Sequence, residues 1–138
     1  MVRQSVITVV VSFALLSGGF VTAAHAAPVK NGVACSKSGA TTTVAVKGVK
    51  STYICKVNPA AANYPNLAKG GKTWTLAKCL SNNALLQSQQ DNINQALSIA
   101  NLESEPGKTA DLNTLNSQQM TLIKLFADNA ANWCKTGL

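Results

Sequence analysis

The residues of this chain with the most chemistry to offer are its four cysteines. They are Cys35, Cys55, Cys79 and Cys134. Structural zinc sites use cysteine pairs only about two to four residues apart, whereas successive cysteines here are separated by 20, 24 and 55 positions. A catalytic thiol needs a base, and the only histidine, His25, lies in a segment that we expect to be removed. The cysteines therefore predict two disulfide bonds, with no metal, no cofactor and no catalytic thiol.

The first 26 residues have the three parts of a cleavable export signal. Arg3 supplies a positive charge, Ser5–Leu16 is almost entirely apolar, and Ala24-His25-Ala26 supplies small residues before a cut ahead of Ala27. The alternative is a retained membrane anchor, but a spanning helix needs about 20 apolar residues and a glycine pair interrupts this run early. We expect residues 1–26 to be a signal peptide. The mature chain would then have no membrane span and would be secreted or held in the cell envelope, where disulfides persist.

Charge is distributed unevenly in the remaining chain. Residues 27–80 contain eight lysines and no carboxylate, whereas residues 81–138 contain three lysines and all five carboxylates. This asymmetry predicts two modules, a Lys-rich β module over residues 27–78 and a helical hairpin over residues 79–138. In the predicted compartment, the β module could bind an anionic wall polymer, lipid head groups or an acidic protein. Alternatively, its lysines only keep it soluble.

Nucleic acid is not an expected partner of the basic module. It is scarce outside the cytoplasm, and the sequence has no arginine after Arg3. Arginine supplies the planar fork that binds phosphate with two parallel hydrogen bonds, and lysine does not.

The basic half has the composition of a small β-sheet. Residues 40–46 and 51–57 are rich in β-branched side chains, and residues 47–50 form a Gly-containing turn between them. Residues 72–76 are a candidate third strand, after a loop of residues 58–71 punctuated by Pro and Gly. Alternation along the strands places the following side chains on one face: Val44, Val46, Tyr53, Cys55, Val57, Trp74 and Leu76.

The second half has the periodicity of two amphipathic helices, separated by Glu105-Pro106-Gly107. The predicted apolar stripe of the first helix contains Leu85, Leu86, Ile93, Ala96, Leu97 and Ala100. That of the second contains Leu112, Leu115, Leu122, Ile123, Phe126, Ala130 and Trp133. These stripes are wide enough to face the core, and Trp133 is expected to be a core residue. Together the two halves predict an α+β fold, a three-stranded β module followed by an antiparallel α-hairpin.

Helix geometry selects the cysteine pairing. Cys79 lies 27 residues before Pro106 and Cys134 lies 28 residues after it. In an antiparallel helix pair with equal rise per residue, these two positions end at the same level. A Cys79–Cys134 bond would therefore close the open end of the hairpin, and Cys35–Cys55 would close the β module.

One part of the first half has a recognisable order of residues: Gly32-Val33-Ala34-Cys35-Ser36-Lys37-Ser38-Gly39, then Tyr53-Ile54-Cys55-Lys56, and then Trp74. It resembles a small module of exported and cell-surface proteins of actinobacteria. This order of residues is similar to a G-x-x-C-x-K-x-G … Y-x-C … W pattern. The resemblance implies a short disulfide-tied β unit of uncertain function and brings no catalytic residue with it. The stretch from Cys55 to Trp74 is longer here than in that pattern.

Few residues are suited to catalysis. The carboxylates all lie in the helical half, Glu103 and Glu105 beside a Pro-Gly turn, and no histidine is expected in the mature chain. We therefore predict a protein without enzymatic activity, with a hydrolase as the least favoured reading.

Two kinds of binding site remain as hypotheses. The first is the loop of residues 58–71, where Tyr64 is expected to be the most exposed aromatic side chain. The neighbouring lysines would share in recognition, and they are Lys56, Lys69 and Lys72. The second is an apolar ligand carried between the helices by Leu86, Ile93, Leu122 and Phe126, which are otherwise ordinary core residues.

Overall fold

The computed structural model describes residues 28–46, 48–102 and 108–138, and these residues form an α+β fold, as predicted. Three strands come first and are followed by two long helices. Their bounds are β1 Thr41–Val46, β2 Val49–Val57, β3 Lys72–Leu76, α1 Ala77–Leu102 and α2 Lys108–Asn129. The end of α2 passes into a π-helical turn, Ala130–Cys134. The predicted signal peptide and Glu103, Glu105 and Pro106 lie outside the described residues.

The strands form an antiparallel sheet in the order β1-β2-β3. The three predicted strands are confirmed, although β2 begins two residues earlier than expected, at Val49. In the register Tyr53 lies opposite Leu76 and Cys55 opposite Trp74. Directly opposed residues share a face of a sheet, so these four side chains lie on one face, as the alternation predicted.

The chain before β1 pairs with the outer edge of β3. Gly32 N donates to Trp74 O (3.0 Å), Trp74 N donates to Val33 O (2.8 Å), and Cys35 N donates to Lys72 O (3.2 Å). These bonds cover an edge that would otherwise present unpaired amides and carbonyls to solvent. Cys35, at the end of this segment, lies within disulfide distance of Cys55 on β2.

Both predicted disulfide bonds are present. Cys35 is bonded to Cys55, with their Cα atoms 5.8 Å apart, and Cys79 is bonded to Cys134, with their Cα atoms 5.0 Å apart. The second bond joins the start of α1 to the end of the π-helical turn, and thus closes the hairpin at the predicted level.

The predicted apolar stripes are only partly buried. Leu86, Ala100, Leu122 and Ala130 are buried, but the exposed fraction is 62% for Leu85, 51% for Ile123 and 41% for Trp133. The expectation of a core position for these three residues was therefore wrong. The reason is geometric: α1 and α2 pack mainly on each other, and two helices can cover only the centre of a wide apolar stripe.

The buried core lies around the Cys79–Cys134 bond. It contains Ala60, Ala68 and Ala130, with Tyr64, Leu67 and Leu76 packed around them. The fully buried members of this cluster are all alanine or cysteine, so the loop, sheet and helices approach one another closely here. The covalent bond therefore compensates for a modest apolar core.

Three asparagines complete this core by hydrogen bonding. The exposed fractions of Asn31 and Asn58 are 1% each, and that of Asn129 is 6%. Asn31 Nδ2 donates to Trp133 O (2.8 Å) and Asn31 Oδ1 accepts from Leu76 N (2.6 Å). Because buried amides must be paired to be tolerated, these bonds fix the relative positions of the sheet and the C-terminal turn.

The last residues of the chain return to the sheet. Gly137 N donates to Asn31 O (2.8 Å), Asn31 N donates to Leu138 O (2.9 Å), and Thr136 N donates to Leu67 O (2.7 Å). The C-terminal segment therefore contacts the Lys-rich half directly. The division at residues 78 and 79 into two modules remains a prediction, and hydrogen bonds cross it.

Gly32 is the glycine that this return requires. Its φ is +85°, and a Cβ built there would lie 2.5 Å from Thr136 Cγ2. Gly39 has a similar φ of +79° but has nothing within 4 Å of the same position. Alanine substitutions at Gly32 and Gly39 therefore separate the free-energy cost of a positive φ from that of a steric clash.

We expect Gly32→Ala to lower the free energy of unfolding by about 2–3 kcal/mol, and Gly39→Ala by only about 1 kcal/mol, the cost of the positive φ alone. Urea unfolding followed by circular dichroism measures both. Adding Thr136→Ala to Gly32→Ala should recover part of the loss, because it removes the clashing methyl group. Equal losses for the two glycine variants would show that Thr136 does not approach Gly32 as described.

Candidate functional site

The first candidate site is the set of lysines around the sheet, here called the basic surface. Its seven described members have exposed side chains, and they are Lys30, Lys37, Lys50, Lys56, Lys69, Lys72 and Lys78. No carboxylate occurs in the sequence from residue 27 to residue 80. Among the described residues the one ion pair joins Lys124 Nζ to Asp128 Oδ2 (2.8 Å), and it lies on α2. The charge of the basic surface is therefore not neutralised by ion pairs within the described chain.

Three of these lysines, Lys50, Lys56 and Lys72, are on strands, and they lie on both faces of the sheet. Lys56 lies opposite Thr73 and Lys72 lies opposite Val57, one position away in the register. Successive residues of a strand point to opposite faces, so Lys56 and Lys72 do not share a face. The strand lysines of the basic surface therefore do not converge on one point, which suits an extended anion better than a small one.

One groove of the basic surface also contains an aromatic side chain. Trp74, on β3, is half-buried and lies opposite Cys55 of β2. With Lys37 and the chain from Val33 to Ser36 it lines a groove of about 530 Å³. Lys72 Nζ donates to Ser36 O (3.4 Å) at the side of this groove. Two lysines and an indole ring therefore lie together, and we call this feature the Trp74 groove.

Tyr64 lies elsewhere. It was expected to be the most exposed aromatic residue, but it is half-buried against the core around Cys79–Cys134. The loop turns tightly there, because Tyr64 N donates to Ala60 O (2.8 Å) and Ala68 N donates to Tyr64 O (3.0 Å). Trp133, expected in the core, is the more exposed of the two.

Tyr64 lines a second cleft, between the loop of residues 58–71 and the two helices. The cleft has a volume of about 410 Å³, within the range of about 300–1,000 Å³ usual for small-ligand sites. Its lining is Pro59, Ala60, Asn63, Tyr64, Asn83, Gln87, Gln90, Ile123, Phe126 and Asn129. Half of these residues carry a side-chain amide and none carries a full charge, so we call it the amide cleft.

The amide cleft was not predicted from the sequence, although Tyr64 was expected to belong to a binding site. None of the lysines predicted to act with Tyr64 lines the cleft; its other walls come from α1 and α2. A signal was present in the sequence, since nine of the 26 residues of α1 are Asn or Gln. Three of these nine, Asn83, Gln87 and Gln90, line the cleft.

The four residues proposed to hold an apolar ligand do not line a common cavity in the described chain. Ile93 and Leu122 line one cleft, Phe126 lines the amide cleft, and Leu86 lines a third. Leu86 and Leu122 are buried, in line with their alternative reading as core residues.

The described carboxylates do not form a catalytic arrangement. Asp91, Asp111 and Asp128 are all exposed on the helices. No group of three His, Cys, Asp or Glu side chains that could hold a metal ion occurs within residues 28–46, 48–102 and 108–138. In the same ranges, neither helix combines the length and the apolar character needed to cross a membrane.

Comparison with protein-family models, with curated proteins and with solved structures gives no match to this chain. The likeness of the first half to an actinobacterial surface module therefore remains an expectation from its motif.

Proposed function

We propose that this chain is an exported, non-catalytic binding protein of the cell envelope, and that its basic surface binds an anionic wall polymer. The observation that supports this proposal most strongly is the set of seven exposed lysines without a carboxylate in the same half of the chain. An uncompensated positive field of this kind attracts polyanions over distances of about a Debye length.

The placement of the lysines favours a polymer over a small anion. A small anion is held by several donors that converge on one point, whereas Lys56 and Lys72 point to opposite faces of the sheet. A flexible chain of phosphate or carboxylate groups can contact lysines on both faces at once. The Trp74 groove is where we expect its tightest contact, because Lys37 and Lys72 lie there beside an apolar ring.

The two disulfide bonds support export. Disulfides persist in oxidising compartments and are rare in the cytosol, and the cysteines of the described chain are all paired. The N-terminal sequence has the organisation of a signal peptide, and we infer that the mature chain begins at Ala27.

Neutralising three lysines of the basic surface, two of them beside the Trp74 groove and the third on the other face of the sheet, should weaken binding to an anionic polymer. The test variant is Lys37→Gln/Lys56→Gln/Lys72→Gln, and the probe is poly(glycerol phosphate). Each lysine near a dense anionic surface contributes about 1 kcal/mol, so the variant should bind about 100-fold more weakly. Isothermal titration calorimetry of the mature, oxidised protein at low salt measures the change.

A matched control is offered by the three lysines of the helical half. Lys108→Gln/Lys124→Gln/Lys135→Gln removes the same charge, and its affinity for the polymer should fall less than about threefold, because only long-range attraction is lost. Equal losses in the two triple variants would mean that net charge alone matters and that the basic surface is not the site.

An apolar carrier is supported less well. The residues expected to contact its ligand line three different clefts, and no enclosed apolar cavity joins them in the described chain.

A further inference from the structure

The amide cleft has a different chemistry from the basic surface, and we propose that it binds an uncharged, hydroxyl-rich ligand, namely a neutral oligosaccharide. This site is independent of the proposed polymer site, because no lysine of the described residues lines the cleft.

The walls of the amide cleft are held rigidly. Asn129, at its base, is buried and uses its side-chain amide within the fold. Asn129 Nδ2 donates to Cys79 O (3.3 Å), and Asn129 Oδ1 accepts from Asn82 Nδ2 (3.2 Å). The neighbouring wall residue Ala60 is fixed by the bond from its amide to Asn58 Oδ1 (3.0 Å). A cleft bounded in this way exists before a ligand arrives, which lowers the entropic cost of binding.

The rim of the cleft, in contrast, offers amides that the fold does not use. Among the described residues the structure gives no intramolecular hydrogen bond to the side chains of Asn63, Asn83 or Gln87. Gln90 Nε2 donates to Asn94 Oδ1 (2.9 Å), which leaves Gln90 Oε1 as an acceptor. Each primary amide presents two donors and an acceptor. Neighbouring sugar hydroxyls present the same mixture of donors and acceptors, so one amide can bind two of them.

The remaining lining residues provide apolar surface. Tyr64 and Phe126 are half-buried, and Ile123 is 51% exposed. A pyranose ring has an apolar C–H face that packs on aromatic and aliphatic side chains while its hydroxyls project sideways to polar groups. A lipid would leave the rim amides unpaired at a cost in free energy. A charged ligand would find no opposite charge in the lining. The combination therefore favours a neutral sugar.

The test is a ¹⁵N-detected NMR titration of the mature, oxidised protein with cellohexaose, chitohexaose and maltohexaose. We expect at least one of them to shift the side-chain amide signals of Asn83 and Gln87, and not the amide signals of the β1–β2 hairpin. The dissociation constant should stay within twofold when NaCl is raised, since no ion pair forms. This weak salt dependence distinguishes sugar binding in the amide cleft from polymer binding on the basic surface. The outcome does not depend on whether the basic surface binds an anionic polymer.

Gln87→Ala and Tyr64→Ala identify the site. Gln87→Ala removes an amide that bonds two sugar hydroxyls, and Tyr64→Ala removes the aromatic wall of the cleft. Each variant should raise the dissociation constant about tenfold. Gln87 is exposed, so its substitution does not disturb the core; the Tyr64 variant is checked for folding by its spectrum. The control is Gln95→Ala, an exposed amide on the same helix that does not line the cleft. The proposal is overturned if none of the three sugars shifts any cleft signal at about 10 mM, or if Gln87→Ala binds as Gln95→Ala does.

Discussion

Removing the Cys79–Cys134 bond with Cys79→Ala/Cys134→Ala should lower the free energy of unfolding by about 4 kcal/mol, the largest loss that we expect from any bond in this chain. The bond closes a loop of 55 residues, and the loss of chain entropy in the unfolded state grows with the logarithm of that length. Both cysteines are also fully buried in the core that joins loop, sheet and helices. Domains of this size have a total stability of about 5–15 kcal/mol, so the variant should lose a large share of its stability.

The matched control is Cys35→Ala/Cys55→Ala. That bond closes only 20 residues, which corresponds to about 3 kcal/mol, and hydrogen bonds between residues 32–35 and β3 remain to hold the segment. Urea unfolding of the two variants and the wild type, followed by circular dichroism at 222 nm, gives both losses. A larger loss on removing Cys35–Cys55 would place the main stabilising link in the sheet and contradict the core described around Cys79–Cys134.

Asn58→Ala should cost about 3 kcal/mol, although asparagine is ordinarily a surface residue. Asn58 Nδ2 donates to Cys134 O (2.7 Å), and Asn58 Oδ1 accepts from Ala60 N (3.0 Å), with both bonds buried. Alanine would leave a buried carbonyl and a buried amide without partners, at about 1–3 kcal/mol each. Thermal unfolding of the mature protein should show a melting temperature lower by about 10 °C or more.

Asn63→Ala is the control for this substitution. Asn63 belongs to the same loop but is exposed, so its loss should change the free energy of unfolding by less than about 0.5 kcal/mol. If the two variants have the same melting temperature, the Asn58 hydrogen bonds do not connect the loop to the C-terminal turn in solution.

The elements of this fold could be predicted because they depend on local patterns. Alternating β-branched residues predicted the strands, and helical periodicity predicted the hairpin. The disulfide pairing also followed, since counting residues on either side of Pro106 is enough to place Cys79 beside Cys134.

The core could not be predicted in the same way, because its polar members are buried only by tertiary contacts. Nothing in the local sequence distinguishes Asn31 and Asn58, which are buried, from Asn63, which is exposed. The return of residues 136–138 to Asn31 likewise has no local signal. Trp133 shows the opposite error: its apolar character predicted burial, but it is 41% exposed, and none of the described elements covers that side of the helices.

The same distinction between local sequence patterns and tertiary contacts applies to the candidate sites. Exposed lysines in a half without carboxylates could be expected from composition alone. The Trp74 groove depends on the pairing of residues 32–35 with β3, and the amide cleft on the packing of a loop against two helices. Both arrangements join residues far apart in the sequence, so no spacing rule identifies them.

The salt dependence of polymer binding tests the proposed function most directly. The affinity of the mature, oxidised protein for poly(glycerol phosphate) should be measured between about 50 and 300 mM NaCl, with uncharged poly(ethylene glycol), which is not a sugar, as the comparison. If four or more lysines of the basic surface contact phosphate groups, a plot of log K against log salt concentration should fall with a slope of about −3 or steeper, since each contact releases about 0.7 counterion, and poly(ethylene glycol) should show no such slope. A slope near zero, or an equal affinity for both polymers at low salt, would contradict the proposal that the lysines around the sheet are the binding surface.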